Sequence, residues 1–197
     1  AGTGNTTAAG GTTGNRLFSQ FGRVDYSHAD KYLLALTVRR DGSSRFGPGN
    51  KYATFPSVAV SWKIKEESFL KNSKTISDLK LRLGYGITGQ QDGIGNYAFL
   101  STYSLGGQNS LTQFGNTYYN TYAPGGFYPD LKWEQTTGYN IGVDYGFINN
   151  RISGSVDFYL KRTEDLLNSV SQPAGTNFSA YVLANVGNMD NKGVEFN

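Results

Sequence analysis

The sequence predicts an all-β fold: an antiparallel meander forming an arc of a large transmembrane β-barrel, about seven strands of a larger wall. Three observations predict it. Runs of about ten residues alternate strictly between apolar and polar, the links between runs alternate between short and long, and the charged residues fall on one side of the alternation. Successive strand side chains point to opposite faces, so each run has one apolar and one polar face. A soluble strand averages about five or six residues, whereas a membrane-spanning barrel strand needs roughly nine to eleven. Run length therefore favours lipid.

Residues 1–15, rich in Gly and Thr, read as a flexible extracellular loop remnant with no signal peptide, and 16–197 as a partial barrel domain. In the first strand, 17–27, Gly22, Val24 and Tyr26 oppose Arg23, Asp25 and Ser27, while Leu17 and Phe21 break the pattern. Tyr32, Leu34, Leu36 and Val38 then oppose Leu33, Ala35, Thr37 and Arg39, with Leu33 the exception. A link over 40–57 leads to Val58, Val60, Trp62 and Ile64 against Ala59, Ser61 and Lys63. Residues 66–72 are the one helical-looking stretch. Leu79, Leu81, Leu83, Tyr85 and Ile87 follow against Lys80, Arg82, Gly84, Gly86 and Thr88. Tyr139, Ile141, Val143, Tyr145 and Phe147 oppose Asn140, Gly142, Asp144 and Gly146. Ile152, Val156, Phe158 and Leu160 oppose Ser153, Ser155, Asp157, Tyr159 and Lys161, and 193–196 begin a seventh strand.

No apolar run approaches the roughly 18 residues of a membrane helix, which leaves barrels open because their strands spend half their residues on a polar lumen. The negative mean hydropathy is uninformative for the same reason. Among 197 residues there are 26 Gly, 14 Tyr and no Cys, so neither a disulfide framework nor a thiolate metal site is available, and no cofactor is expected. The net charge is only +3 and its cations stand singly, which argues against nucleic acid as a partner.

The connections 27–31, 66–78 and Asn149-Asn150 are short, the last a two-residue hairpin turn, and those at 42–51, 90–130 and 168–180 are long. Barrels of this kind have tight periplasmic turns and extended outer loops, which orients the chain. Arg23, Asp25, Arg39, Lys63, Lys80, Arg82, Asp144, Asp157 and Lys161 all sit on the polar face and are the candidate lumen-facing residues. Arg or Lys facing lipid near mid-bilayer costs roughly 2–4 kcal/mol, so this sorting says which face is wet. Tyr118, Tyr119, Tyr122, Phe127, Tyr128 and Trp133 crowd the longest loop; they either contact a ligand or lid, or form that loop's own small core. Six strands and the start of a seventh fall short of the about eight of the smallest bacterial barrels, and open edges in lipid leave backbone groups unpaired, so a larger wall is expected.

Four other motifs carry bland readings. Gly84, Gly86 and Gly89 match a dinucleotide-binding spacing without its helix or acidic residue, and read as lumen glycines. Residues 188–193 read as a tight turn rather than a calcium loop, because Lys192 takes a ligand position. His28, the lone histidine, reads as a solvated turn residue, and Glu66-Glu67 as surface charge.

Lys31-Tyr32-Leu33-Leu34, Arg39-Arg40-Asp41-Gly42-Ser43-Ser44-Arg45-Phe46-Gly47, Phe55-Pro56-Ser57 and Trp62 resemble the barrel of the SusC/RagA family of TonB-dependent outer-membrane transporters. Ile76-Ser77-Asp78-Leu79-Lys80-Leu81-Arg82, Tyr85-Gly86-Ile87-Thr88-Gly89, Ile94-Gly95-Asn96-Tyr97, Pro129-Asp130-Leu131-Lys132-Trp133-Glu134, Asn149-Asn150-Arg151-Ile152, Asn185-Val186-Gly187 and Asn191-Lys192-Gly193-Val194-Glu195 continue it in order. The resemblance implies a non-enzymatic importer of oligosaccharides or peptides in the outer membrane of a Gram-negative bacterium. It also implies a plug, a SusD-like lipoprotein lid and drive from the TonB complex through the plug, which this sequence does not contain. The rival reading is a secreted soluble β-sandwich, a carbohydrate-binding or adhesion module, which would need a second layer over the apolar face.

Overall fold

The computed structural model describes residues 12–106, 110–176 and 178–197. In chain order the elements are β1 (Leu17–His28), β2 (Tyr32–Ser43), β3 (Tyr52–Lys63), a 3-10 turn (Ile64–Glu66), β4 (Ile76–Gln90), β5 (Tyr103–Leu105), β6 (Leu111–Phe114) and β7 (Thr117–Asn120). They continue with β8 (Tyr122–Pro124), β9 (Glu134–Phe147), β10 (Ile152–Glu164), β11 (Leu167–Ser171), β12 (Tyr181–Asn185) and β13 (Met189–Phe196). Seven strands form one antiparallel sheet in the order β1-β2-β3-β4-β9-β10-β13, the expected meander.

Register turns alternation within each strand into rows across all of them. Tyr26, Leu34, Val60, Leu83, Ile141, Phe158 and Val194 face one another in turn from β1 to β13. The next row, His28, Tyr32, Trp62, Leu81, Val143, Val156 and Phe196, is equally continuous. A one-residue slip anywhere would throw that strand's apolar set to the other side. No second layer of described residues covers these rows: Ile141 is 51% and Phe158 55% exposed. A protein of this size that kept such a face in water would be anomalous, and the soluble sandwich is overturned with it.

The short and long connections fall at opposite ends of the sheet. Residues 29–31, 64–75 and 148–151 make the short-turn end, and 44–51, 91–133 and 165–188 the long-loop end. The last short turn is four residues rather than two, with Ile148, Asn149 and Asn150 all at positive φ (51°, 53° and 59°). The helical-looking stretch 66–72 is not a helix: a 3-10 turn at Ile64–Glu66 is followed by a turn in which Leu70 N and Lys71 N donate to the Glu67 carbonyl (2.9 and 2.7 Å). Residues 189–193 are strand rather than tight turn, because β13 pairs with β10 from Met189 onward. His28 ends β1 and stacks between Tyr26 (6.4 Å) and Tyr32 (6.3 Å), which itself stacks on Trp62 (6.3 Å). It belongs to an aromatic ladder on the apolar face, the kind of girdle that marks a membrane interface. Of the loop read over 1–15, residues 1–11 lie outside the described residues.

The one hydrophobic core among the described residues is at the long-loop end. β3 and β4 are paired only from Ser57/Gly86 downward, and Phe55, above that point, joins Phe46, Ile94, Leu131 and Trp133. Trp133 packs on Phe46 (4.9 Å) and edge-on to Phe55 (5.7 Å).

Candidate functional site: a charged inner face and an aromatic finger

The inner face is built from the rows between the apolar ones. Arg23, Thr37, Ser57, Gly86, Gly138 and Lys161 form one, Asp25, Ala35, Ala59, Gly84, Asn140 and Tyr159 the next, and Ser27, Leu33, Ser61, Arg82, Gly142 and Asp157 a third. Small residues on the four central strands leave a shallow trough of about 580 Å³ with Arg23 on one side and Tyr159 and Lys161 on the other.

The charges on this face are organised rather than scattered. Arg82 donates to Asp144 (Nη2 to Oδ1 2.8 Å) and meets Asp157 at 2.9 Å, so one guanidinium ties β4, β9 and β10. Lys80 approaches Asp144 at 3.8 Å and Ser155 Oγ donates to Asp157 (3.2 Å). Gly142 lies between: a Cβ there would come 2.8 Å from the Arg82 guanidinium carbon. Arg23 pairs with Asp25 (2.8 Å) and Arg39 with Asp41 (2.8 Å), each two residues along its own strand. Lys161 lies over the Tyr159 ring at 5.6 Å, and Lys63 stands directly opposite Lys80.

Sequence reasoning missed Asp41, which reads as loop but is a strand residue 7% exposed, and Glu195, which register places beside Asp157. The sorting of charge is also incomplete. Arg40, Arg162, Asp190 and Lys192 fall on the outward alternation; Arg162 pairs with Asp190 (2.8 Å) and Arg40 covers the Tyr52 ring (5.1 Å). Arg40 and Arg162 lie near the long-loop ends of their strands, where the apolar rows have ended.

The six aromatic candidates separate into two groups. β5 pairs with β8 and β6 with β7, making one exposed β-hairpin, a finger with Gly115 at its tip (φ 60°). It carries Tyr118 (62% exposed), Tyr119 (53%) and Tyr122 (65%). Leu105 and Tyr122 face each other, as do Tyr103 and Pro124, so one side of the finger is apolar. From residue 93 to 129 there is no charged side chain at all. Tyr, Ser, Gly and Asn at high density are the residues of adaptable recognition surfaces.

Phe127 and Tyr128 are half-buried at the finger's base, Tyr128 against the core. Trp133 is 5% exposed and donates its indole N–H to the Lys51 carbonyl (3.3 Å), so it is a core side chain and not a surface for a lid or ligand. Asn185 locks the second hairpin, β11–β12, onto this core. It accepts from the Lys132 N–H (2.8 Å) and donates to the Lys132 and Asp165 carbonyls (2.8 and 2.9 Å). Asn50 likewise donates to the Asp130 carbonyl (3.1 Å). Segments around Phe46, Phe55, Ile94, residues 129–134 and Asn185, all among those that carry the resemblance, thus converge in one collar above the sheet.

A single-layer wall, amphipathic in seven strands and collared at one end, matches a known architecture across its whole length. The family model described as TonB dependent receptor-like, beta-barrel, matches residues 1–197. The chain belongs to the TonB-dependent receptor β-barrel family. It is 52% identical over 184 residues to the TonB-dependent receptor SusC of Bacteroides thetaiotaomicron, covering 93% of this chain and 18% of that protein. Against the TonB-dependent receptor P39 of Formosa agariphila it is 39% identical over 197 residues, covering 97% of the chain and again 18% of the relative. Among solved structures it superposes on the RagAB peptide transporter with a TM-score of 0.78 at 34% identity, covering 92% of this chain and 19% of that one. In the open-open state of the RagAB peptide importer the TM-score is 0.80 at 35% identity. The chain therefore spans about a fifth of the length of the proteins it matches. Membership of this family places it in the outer membrane of a Gram-negative bacterium.

Proposed function

We propose that this chain is one arc of the barrel wall of a TonB-dependent importer, non-enzymatic, that passes an oligosaccharide or peptide through a plugged lumen. One observation carries the reading: an uncovered apolar row runs through all seven strands and has no partner but hydrocarbon. β1 and β13 each have one neighbour in the sheet, so in lipid their free edges call for further strands. In this reading the short-turn end is periplasmic and the long-loop end extracellular.

Arg23, Asp25, Arg39, Lys63, Lys80, Arg82, Asp144, Asp157 and Lys161 then line the lumen, facing plug and passing substrate. Tyr118, Tyr119 and Tyr122 are the outer contacts, to the ligand or to a SusD-like lipoprotein lid. The TonB complex would act through the plug. The relatives support this reading: one is the TonB-dependent receptor SusC, another the RagAB peptide importer.

The test is fractionation followed by uptake. The full-length parent protein should sediment with outer membranes and migrate faster unheated than boiled on SDS gels. Its deletion should abolish uptake of a labelled oligosaccharide or peptide pool. A parent found in the soluble periplasmic fraction would defeat the proposal.

A further inference from the structure

The link between β3 and β4 is longer than the sheet needs, and its shape is fixed. Glu67 ties it to the outward face: Oε1 accepts from Tyr32 Oη (2.6 Å) and Trp62 Nε1 (3.1 Å), and Oε2 from Lys31 Nζ (3.0 Å). Lys65 Nζ donates to the carbonyls of Leu70, Lys71 and Ser73 (3.2, 3.1 and 2.9 Å), so its ammonium group holds the turn closed. What the turn then presents is apolar and cationic. Phe69 is 71% exposed, and Lys71 and Lys74 are exposed without an ion pair among the described residues.

The neighbouring turn is fastened to this one, Ile148 N donating to the Thr75 carbonyl (2.9 Å). It adds Ile148, 51% exposed at a φ that β-branched residues rarely adopt, and exposed Arg151, again unpaired among the described residues. The short-turn end shows two exposed carboxylates outside the sheet, Glu66 and Asp30, and neither lies in the segment 69–75 or in the 148–151 turn that carry these three cations.

We propose that this rim is a docking surface for anionic phospholipids, with Phe69 and Ile148 at the acyl boundary and Lys71, Lys74 and Arg151 on the headgroup phosphates. The inference rests on the membrane-wall reading and adds a lipid class to it. Position supports it: the last outward row, Ile76, Phe147 and Ile152, and the aromatic ladder of His28, Tyr32 and Trp62 both run down into this rim. Charge supports it, since amphipathic surfaces with unpaired Lys and Arg beside aromatic residues favour anionic lipid. A soluble phosphate ligand would give Phe69 and Ile148 nothing to cover them.

The full-length parent protein, placed in nanodiscs of mixed phosphatidylcholine and phosphatidylglycerol, is examined by native mass spectrometry for retained phosphatidylglycerol. The wild type should retain it selectively. Lys71→Gln, Lys74→Gln and Arg151→Gln should each weaken retention roughly fivefold. Phe69→Ser should lower retention of both lipids, and Lys132→Gln at the other end should change nothing. Assembled variants that keep wild-type selectivity, or inorganic phosphate displacing the lipid at millimolar concentration, would overturn the proposal alone. A parent that stays soluble without lipid would overturn the wall reading and this proposal together.

Discussion

Arg82 on β4 reaches Asp157 on β10 across the full width of β9, and it does so because residue 142 is glycine. The row that contains them is otherwise set by register, so three strands share one cation.

Replacing Gly142 by valine should expel the guanidinium from that gap and break the Arg82–Asp157 pair. The expected cost is about 1–3 kcal/mol, the range for an uncompensated polar group. It is measured as a lower urea midpoint for the parent barrel in lipid vesicles. Adding Asp157→Asn to the Gly142→Val variant should cost little more, since the interaction is already lost. Additive losses would show that Arg82 does not depend on the space at residue 142.

The two sides of β9 should respond oppositely to the same charge. Ile141 sits in the apolar row and Asn140, one residue away, in the trough. Ile141→Arg should destabilise the assembled barrel by roughly 2–4 kcal/mol, and Asn140→Arg by much less. Equal effects would mean that hydrocarbon does not cover the Ile141 side.

How much of this was legible in the sequence depends on where lipid imposes a pattern. Leu79 to Tyr85 and Tyr139 to Phe147 read correctly because one medium dictates every second side chain. The upper parts of β2 and β3 did not: Asp41, Gly42 and Ser43 resemble a loop, and Tyr52 to Ser57 lack alternation, because beyond the apolar rows both faces meet water or the collar. The finger escaped detection for the same reason, with Tyr and Phe on both sides of β6 and β7. Charges could be sorted to a face, but not into pairs. Arg82 finds Asp157 75 residues away through register alone, which no spacing announces. Trp133 stayed open in the sequence between a contact and the loop's own core, since aromatic density in a long loop does not distinguish the two.

That distinction is measurable with two truncations. Trp133→Ala removes the centre of the core that the described residues form at that end and should cost about 3–5 kcal/mol locally, seen as rapid proteolysis of the 165–188 hairpin. Tyr118→Ala, on the exposed finger, should leave stability within about 0.5 kcal/mol while weakening capture of the ligand or lid. A stable Trp133 variant with the same binding loss as Tyr118→Ala would reverse the assignment of the two residues.

Glu67 provides a pH test of the rim. Hydrogen bonds from Tyr32, Lys31 and Trp62 to its carboxylate lower its pKa from 4.5 to about 2. A group whose folded pKa is depressed contributes stability that is complete above its unfolded value and is lost as pH falls through the folded one. The anchoring of the 64–75 turn should therefore be intact at pH 5 and above, and should fail between about pH 4.5 and 2. Trp62 reports this directly, because its indole N–H donates to the same carboxylate at 3.1 Å, and loss of that bond should shift its emission. Glu67→Gln should remove the transition from this window while keeping a hydrogen-bond acceptor in place. A Trp62 transition that persists unchanged in Glu67→Gln would assign the acid response to another group.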